Sequence, residues 1–195
     1  MSQFWLFLKL GLEHVLDWQA YDHILFLIVL VVSYGFSSWQ RVLWLVTLFT
    51  LGHTTALFLS VYEIVIVRTV WVELLIAITI FVTAFYNVLT ASKKDRDKSR
   101  NLLYFSTIFF GVIHGLGFAT YFKMLIGSKS KFLPLLEFAL GIEAAQVTVV
   151  LSAMIIGFIA LNVLQVSKRD WVLVISSIVM GIILPILRDN FLAIF

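Results

Sequence analysis

Six long stretches of this chain carry almost no charge, and that feature limits what it can fold into more than any other. A helix that crosses a bilayer needs about 20 predominantly apolar residues, within a range of roughly 17–25. Apolar runs of that order cover residues 20–36, 42–62, 69–90, 102–122, 134–164 and 171–187. Polar breaks separate them: Ser37–Arg41, Lys93–Arg100, the loop with Gly127, Ser128, Lys129, Ser130 and Lys131, and Lys168-Arg169-Asp170. Pro134 suits the first turn of the fifth run. Composition agrees, since 62% of the residues are hydrophobic and 13% charged. A soluble domain has about 45–50% apolar and about 25% charged residues. The expected fold is an all-α integral membrane protein, a single transmembrane domain over residues 1–195 with about six spans.

The first nineteen residues are read separately. Phe4, Trp5, Leu6, Phe7, Leu8, Leu10 and Leu12 make them apolar, but Lys9, Glu13 and His14 interrupt the run. Too short and polar for a comfortable span, they are expected to form an interfacial or re-entrant helix. No cleavable signal is expected, because a basic leading region and a small-residue cleavage site are both missing. Trp5, Trp18, Trp39 and Trp171 read as interfacial anchors.

Orientation follows from Lys and Arg in short loops. The Lys93–Arg100 loop carries five of them, which places it in the cytoplasm together with Arg41, Lys168 and Arg169. Lys9, Arg68, Lys123, Lys129, Lys131 and Arg188 then lie outside, and both termini are extracytoplasmic. The expected location is a bacterial-type inner membrane, crossed several times. Membrane lipid is the expected surrounding partner, nucleic acid is not a partner, and the sequence leaves a homo-oligomer open.

Ionisable groups at membrane depth are costly and functional by default. Here they are His14, Asp22, His23, His53, Glu73, His114, Glu137 and Glu143, a set that holds all four histidines of the chain. In the orientation above, His53 lies about 13 Å, His114 about 12 Å and Glu143 about 15 Å below the outer ends of their spans. Asp22 and His23 fall in the first outer turn of theirs. Helical spacing aligns Thr50, His53 and Thr54 on one stripe. It aligns Thr107, Gly111, His114 and Phe118 on a second, and Ala139, Glu143 and Gln146 on a third. Gly111 and Gly115 supply small residues for a close helix crossing. Glu137, about 120° from Glu143 on its helix, is set aside.

Asp22 and Glu143, ionised and unpaired, would together cost about 5–7 kcal/mol, and no Lys or Arg stands inside a span to offset them. A shared divalent cation would. With no cysteine in the chain, its ligands must be imidazole and carboxylate, a set suited to nickel, cobalt, zinc or iron. Protonated carboxylates bonded to histidine are the competing explanation. The candidate metal residues are His14, Asp22, His23, His53, His114 and Glu143, with Thr50, Thr54, Glu73 and Gln146 behind them.

Four segments resemble the HupE/UreJ family of hydrogenase and urease accessory membrane proteins. Glu13-His14 through Asp17 to Asp22-His23 is similar to its first signature. Phe49-Thr50-Leu51-Gly52-His53-Thr54 resembles the second, and Phe110-Gly111-Val112-Ile113-His114-Gly115 the third. Gly141-Ile142-Glu143-Ala144-Ala145-Gln146 is like the element that follows. The resemblance implies permeation of nickel or cobalt, with His14, Asp22, His23 and His114 handling the metal. The family pattern usually sets five residues between the first histidine and the Asp-His pair, and this chain has seven.

Two functional classes remain open on the sequence. One is a permease or carrier for a divalent transition metal. The other is a zinc-type intramembrane hydrolase or acyl transferase acting on lipid or lipidated protein at the outer leaflet. No catalytic residue is assigned outright; in the enzyme reading Asp22 or Glu143 would be the general base. A polar route to both faces marks the carrier, and a one-sided cleft open to lipid marks the enzyme. A purely structural polar cluster is the third option.

Overall fold

The computed structural model describes residues 3–17, 21–92, 100–126 and 131–194. Trp18, the Lys93–Ser99 part of the basic run and residues 127–130 lie outside them. Every element among the described residues is helical: α1 (Gln3–Leu16), α2 (Asp22–Val31), α3 (Trp39–Val61), α4 (Thr69–Thr90), α5 (Arg100–Ile126), α6 (Phe132–Phe158) and α7 (Lys168–Leu192). A 3-10 turn at Phe36–Ser38 leads into α3, and a π turn at Ile159–Val163 prolongs α6. Five of the helices, α3 to α7, are long and apolar enough to cross a membrane. The chain is an all-α membrane bundle.

The apolar stretch of residues 20–36 departs from the expected full-length span. Its helix α2 has ten residues, about 15 Å of rise, half the thickness of a bilayer core. What completes it is α1. Four residues of α5, each one turn from the next, meet the N-terminal segment in register. Phe122 faces Phe7 at 6.0 Å between ring centroids, Phe118 faces His14 at 3.9 Å, His114 faces His23 at 5.2 Å, and Phe110 faces Phe26 at 5.6 Å. So α1 and α2 run one after the other, antiparallel to α5, over about 18 Å of its length. They form one interrupted traverse of the bundle, broken between Leu16 and Asp22. Burial of Phe7, Gly11 and Val15 in α1 sets this segment within the bundle and not on its surface.

An interrupted helix leaves backbone groups without partners, a serious cost in lipid. At the end of α2 the Val29 carbonyl is one of these, and Asn87 Nδ2 of α4 donates to it at 2.6 Å. Asn87 is buried.

Two glycine seams set the helix spacing. A Cβ on Gly52 of α3 would collide with the Ile108 carbonyl of α5, and one on Gly111 with the Phe49 carbonyl. One on Gly115 would strike the His53 carbonyl. The expected close crossing at Gly111 and Gly115 is thus a main-chain-to-main-chain contact between α3 and α5. Across the bundle, Gly11 of α1 lies against the Phe138 carbonyl of α6, and Gly141 of α6 against the Leu8 carbonyl. Between the seams α3 also packs on α6, while α7 packs outside on α4. Phe26, Leu27, Leu45, Phe49, Leu57, Phe122, Phe138 and Ile142 fill the core around them.

These seams predict the response to added methylenes. Gly52→Leu and Gly111→Leu are expected to lose at least about 1–3 kcal/mol by overpacking, read as a lower unfolding temperature in detergent. Gly181→Ala, where nothing stands within 4 Å of the added carbon, is expected to match or exceed the wild type by up to about 1 kcal/mol. Equal losses at all three positions would contradict the seam assignment. Asn87→Leu strands the Val29 carbonyl and is expected to cost about 1–3 kcal/mol. Hydrogen exchange should then accelerate at the C-terminal turn of α2 while α3 and α5 keep their protection.

Candidate metal centre

Each histidine of the chain comes from a different helix, and all four meet. His14 stands one turn beyond the Gly11 crossing on α1. His23 opens α2 just after the break. His53 follows Gly52 directly on α3, and His114 lies between Gly111 and Gly115 on α5. Ring centroids are 4.6 Å apart for His14 and His23, 5.7 Å for His23 and His53, 5.6 Å for His14 and His53, and 5.2 Å for His23 and His114. His23 therefore touches the other three. One nitrogen from each of His14, His23 and His53 lies within 4.8 Å of the others. The seven residues between His14 and Asp22 do not separate the two, because the gap spans the helix break.

Lone pairs are oriented as a metal would need them. His23 Nδ1 lies 3.1 Å from Asp22 Oδ1, whose oxygen also accepts from the His23 backbone N–H at 2.9 Å. With Asp22 as the acceptor, the proton sits on Nδ1 and Nε2 keeps its lone pair. His114 Nδ1 faces the Phe110 carbonyl at 2.8 Å, which can only accept, so its Nε2 is also left as a free acceptor. The buried Nε2 atoms of His14, His23 and His114 and both nitrogens of His53 have no hydrogen-bond partner. Buried polar atoms are nearly always satisfied. These orphans cluster together, and on His23 and His114 the other ring nitrogen is held by an acceptor, an arrangement that could hold a metal ion. The donor set fits a borderline divalent ion.

Aromatic rings close the surroundings. Phe118 covers His14, Phe138 stacks on Phe118 at 5.2 Å and 3° and approaches His14 at 5.7 Å. Phe26 and Phe49 lie 5.2 and 5.1 Å from His114. A low-polarity wall of this kind strengthens every electrostatic contact made inside it.

Glu143 occupies a different position. Its Oε1 accepts from Thr47 at 2.7 Å and its Oε2 from Thr50, and Thr50 Oγ1 also lies 2.9 Å from Gln146 Oε1. Thr50 is one turn below His53 on α3, so this oxygen-rich group sits next to the histidines, toward the N-terminal end of α3. Thr54 is beside His53 in sequence with its hydroxyl buried and unpaired. Glu73 is exposed near the start of α4, and no described contact joins it to the histidines. Glu137 is 4% exposed with Oε2 unpaired, so burial, more than its angle to Glu143, marks it.

Sequence reasoning passed over Thr47, although its place three residues before Thr50 on the stripe was the available signal. It also passed over the aromatic wall, since phenylalanines in an apolar chain carry no contrast. From Thr47 a surface depression continues past Gln40, Arg41 and Tyr104 to Ser37 at the start of α3.

Comparison with known proteins agrees with this anatomy. No curated protein and no solved structure matches the chain. The family model described as HupE / UreJ protein matches residues 1–187, a stretch that contains all four histidines, Asp22, Glu143 and every helix except the last five residues of α7. The chain is a multi-pass membrane protein that belongs to the HupE/UreJ family, a family linked to nickel and cobalt handling.

Proposed function

We propose that this protein is a permease for a divalent transition metal, nickel or cobalt, and that the four-histidine centre is its binding station. The observation that carries the reading is the convergence of His14, His23, His53 and His114, with five buried ring nitrogens unpaired. Asp22 and Glu143 supply negative charge on either side of it. Thr50 and Thr54 flank His53 on α3.

The ion would be captured where α1 ends and α2 begins, with Asp22 fixing the tautomer of His23. His53 and His114 complete its coordination as water is shed. Beyond them, Thr50, Gln146, Glu143 and Thr47 provide successive oxygen atoms toward the depression at the start of α3. Two features make this a transport site rather than a resting place. The ligands are neutral imidazoles, which hold a dication less tightly than thiolates would. The helix break puts two of them on short segments, as in transporters whose sites are built at discontinuous helices. In the inner membrane, with both termini outside, this path leads inward.

The zinc-type hydrolase or acyl transferase is the second reading. It needs an open coordination position in reach of a lipid, whereas phenylalanines wall the histidines. The polar steps below His53 support the carrier.

Metal content of the detergent-purified protein, measured by mass spectrometry after incubation with nickel, cobalt or zinc, tests the site. Near-stoichiometric metal is expected in the wild type and a loss in His23→Ala and in His53→Ala with His114→Ala. Absence of metal in the wild type would refute the reading. Asp22→Asn, which keeps the ligands but loses their orienting carboxylate, is expected to weaken binding about 10–100-fold. Nickel uptake into proteoliposomes then separates carrier from enzyme: uptake is expected, and lipid hydrolysis without uptake would favour the second reading.

Stability gives an independent signal. At a nickel concentration of 100 times the dissociation constant, the wild type is expected to gain about 2.7 kcal/mol. Metal-free His53→Leu is expected to equal or exceed the metal-free wild type, since it removes two unsatisfied buried nitrogens. Its response to nickel should be small.

A further inference from the structure

Below the histidines, α2 and α5 repeat the same order of residues in opposite chain directions. On α2, His23 is followed by Phe26 and then by Val29, Leu30 and Ser33 just past its end. On α5, read backwards, His114 is followed by Phe110 and then by Thr107, Ser106 and Leu103. The imidazoles face each other at 5.2 Å between centroids and the phenylalanines at 5.6 Å. At the third level the walls part. A cavity of about 260 Å³ lies there between α2, α4 and α5, with Ser33, Thr83, Asn87, Ser106, Thr107 and Phe110 among the residues around it. The short α2 is the cause: it stops at Val31, so beyond that point no turn of it fills the space beside α4 and α5.

The lining is rich in acceptors. Thr107 Oγ1 donates to the Leu103 carbonyl at 2.8 Å, and Thr83 Oγ1 to the Thr79 carbonyl at 2.7 Å. With their protons committed to their own helices, these hydroxyls have lone pairs to present to the cavity. Asn87 Nδ2 is committed in the same way, to the Val29 carbonyl. Among the described residues around the cavity none is charged. Such an enclosure suits a hydrated cation and disfavours an anion. Apolar cavities stay dry, whereas a roomy polar one holds water, each molecule taking about 30 Å³ in the liquid; several fit here. The far end of the cavity lies toward Tyr34, Tyr86 and Leu103, where α4 stops and α5 begins. From His114 to Leu103 is about 16 Å along α5.

Two rings stand between the histidines and this cavity. Phe26 is fully buried and held by Phe49 at 5.0 Å. Phe110 is partly exposed, lines the cavity and meets Phe26 edge to face. An apolar constriction of this kind excludes water and ions until a ring moves aside.

We propose that the cavity between α2, α4 and α5 is a water-filled vestibule for the hydrated divalent cation, and that Phe110, packed on Phe26, is the gate between it and the histidines. It gives an ion leaving His114 a hydrated way inward, beside the oxygen set that starts at Thr50. The vestibule stands on its lining alone; the gate rests on the permease reading.

The chain has no cysteine, so single cysteines report on the cavity in the full-length protein in proteoliposomes. Ser33→Cys and Ser106→Cys put a thiol in the cavity. Phe109→Cys puts one on the neighbouring lipid face, where Phe109 is 52% exposed. Thiols react as thiolates, which form in water and not in hydrocarbon. A charged methanethiosulfonate reagent on both sides of the membrane is expected to modify the first two and spare the third. Scaled to their rates with a free thiol, its ammonium form is expected to react faster than its sulfonate form. Elution as a single species by size exclusion verifies that each variant is folded. Absence of charged modification at both cavity positions would overturn the vestibule, and reaction there with a membrane-soluble maleimide alone would identify an acyl chain as the occupant. A sulfonate rate equal to or above the ammonium rate would overturn the cation assignment. For the gate, Phe110→Ala is expected to speed nickel uptake and Phe110→Trp to slow it. Wild-type rates in both would overturn the gate. A wild type that takes up no nickel would refute the permease reading and the gate with it, while the cysteine labelling would still decide on the vestibule.

Discussion

Main-chain contact between helices is the constraint from which the rest of this structure follows. In lipid there is no hydrophobic force to drive apolar helices together, so close packing and a few polar contacts must hold them. Here α3 touches α5 through Gly52, Gly111 and Gly115, and α1 touches α6 through Gly11 and Gly141. His53 and His114 flank the first seam and His14 lies one turn past the second. Backbones pressed against each other cannot slide or rotate without breaking the contact. The imidazoles inherit that precision, and rigid placement of ligands is what a selective metal site requires.

The polar groups of the bundle fall into two kinds with different chemistry. The histidines form a nitrogen set in an aromatic enclosure, with protons held on the far side by Asp22 and the Phe110 carbonyl. Glu143, Thr47, Thr50 and Gln146 form an oxygen set one turn away. Nitrogen ligands discriminate among transition metals, while oxygen ligands accept protons and hydrated cations with little preference. In the proposed permease, placing one beside the other would give an ion successive environments of declining selectivity, which suits release better than a single deep well. Asn87 acts at the end of α2. Its amide secures the Val29 carbonyl and so allows α2 to be short.

Much of this was legible in the sequence. Four of the six expected apolar runs end within four residues of an observed helix, because lipid imposes a length on any continuous span and charged loops mark its ends. The four histidines could be singled out because imidazole at membrane depth is rare enough to require a reason, and the Gly111–Gly115 crossing because small residues have few other uses there. The early end of α2 was hidden. Val31, Val32 and Tyr34 are as apolar as a helix would need, and hydropathy does not register where hydrogen bonding stops. Glu143 could be ranked with the histidines by depth, but depth does not reveal which neighbours a side chain finds. Thr47 and Thr50 came from a separate helix, and their pairing with Glu143 depends on how α3 and α6 are rotated.

The break has a consequence for variation among relatives. In a continuous helix, inserting two residues turns everything after them by about 200°, and a ligand would be lost from its face. Helix α1 ends at Leu16 and α2 begins at Asp22, so His14 is placed by α1 and His23 by α2 and not by one continuous helical phase. The interval between His14 and the Asp22-His23 pair is then not set by helical pitch, whereas the intervals from Gly52 to His53 and from Gly111 to His114 are.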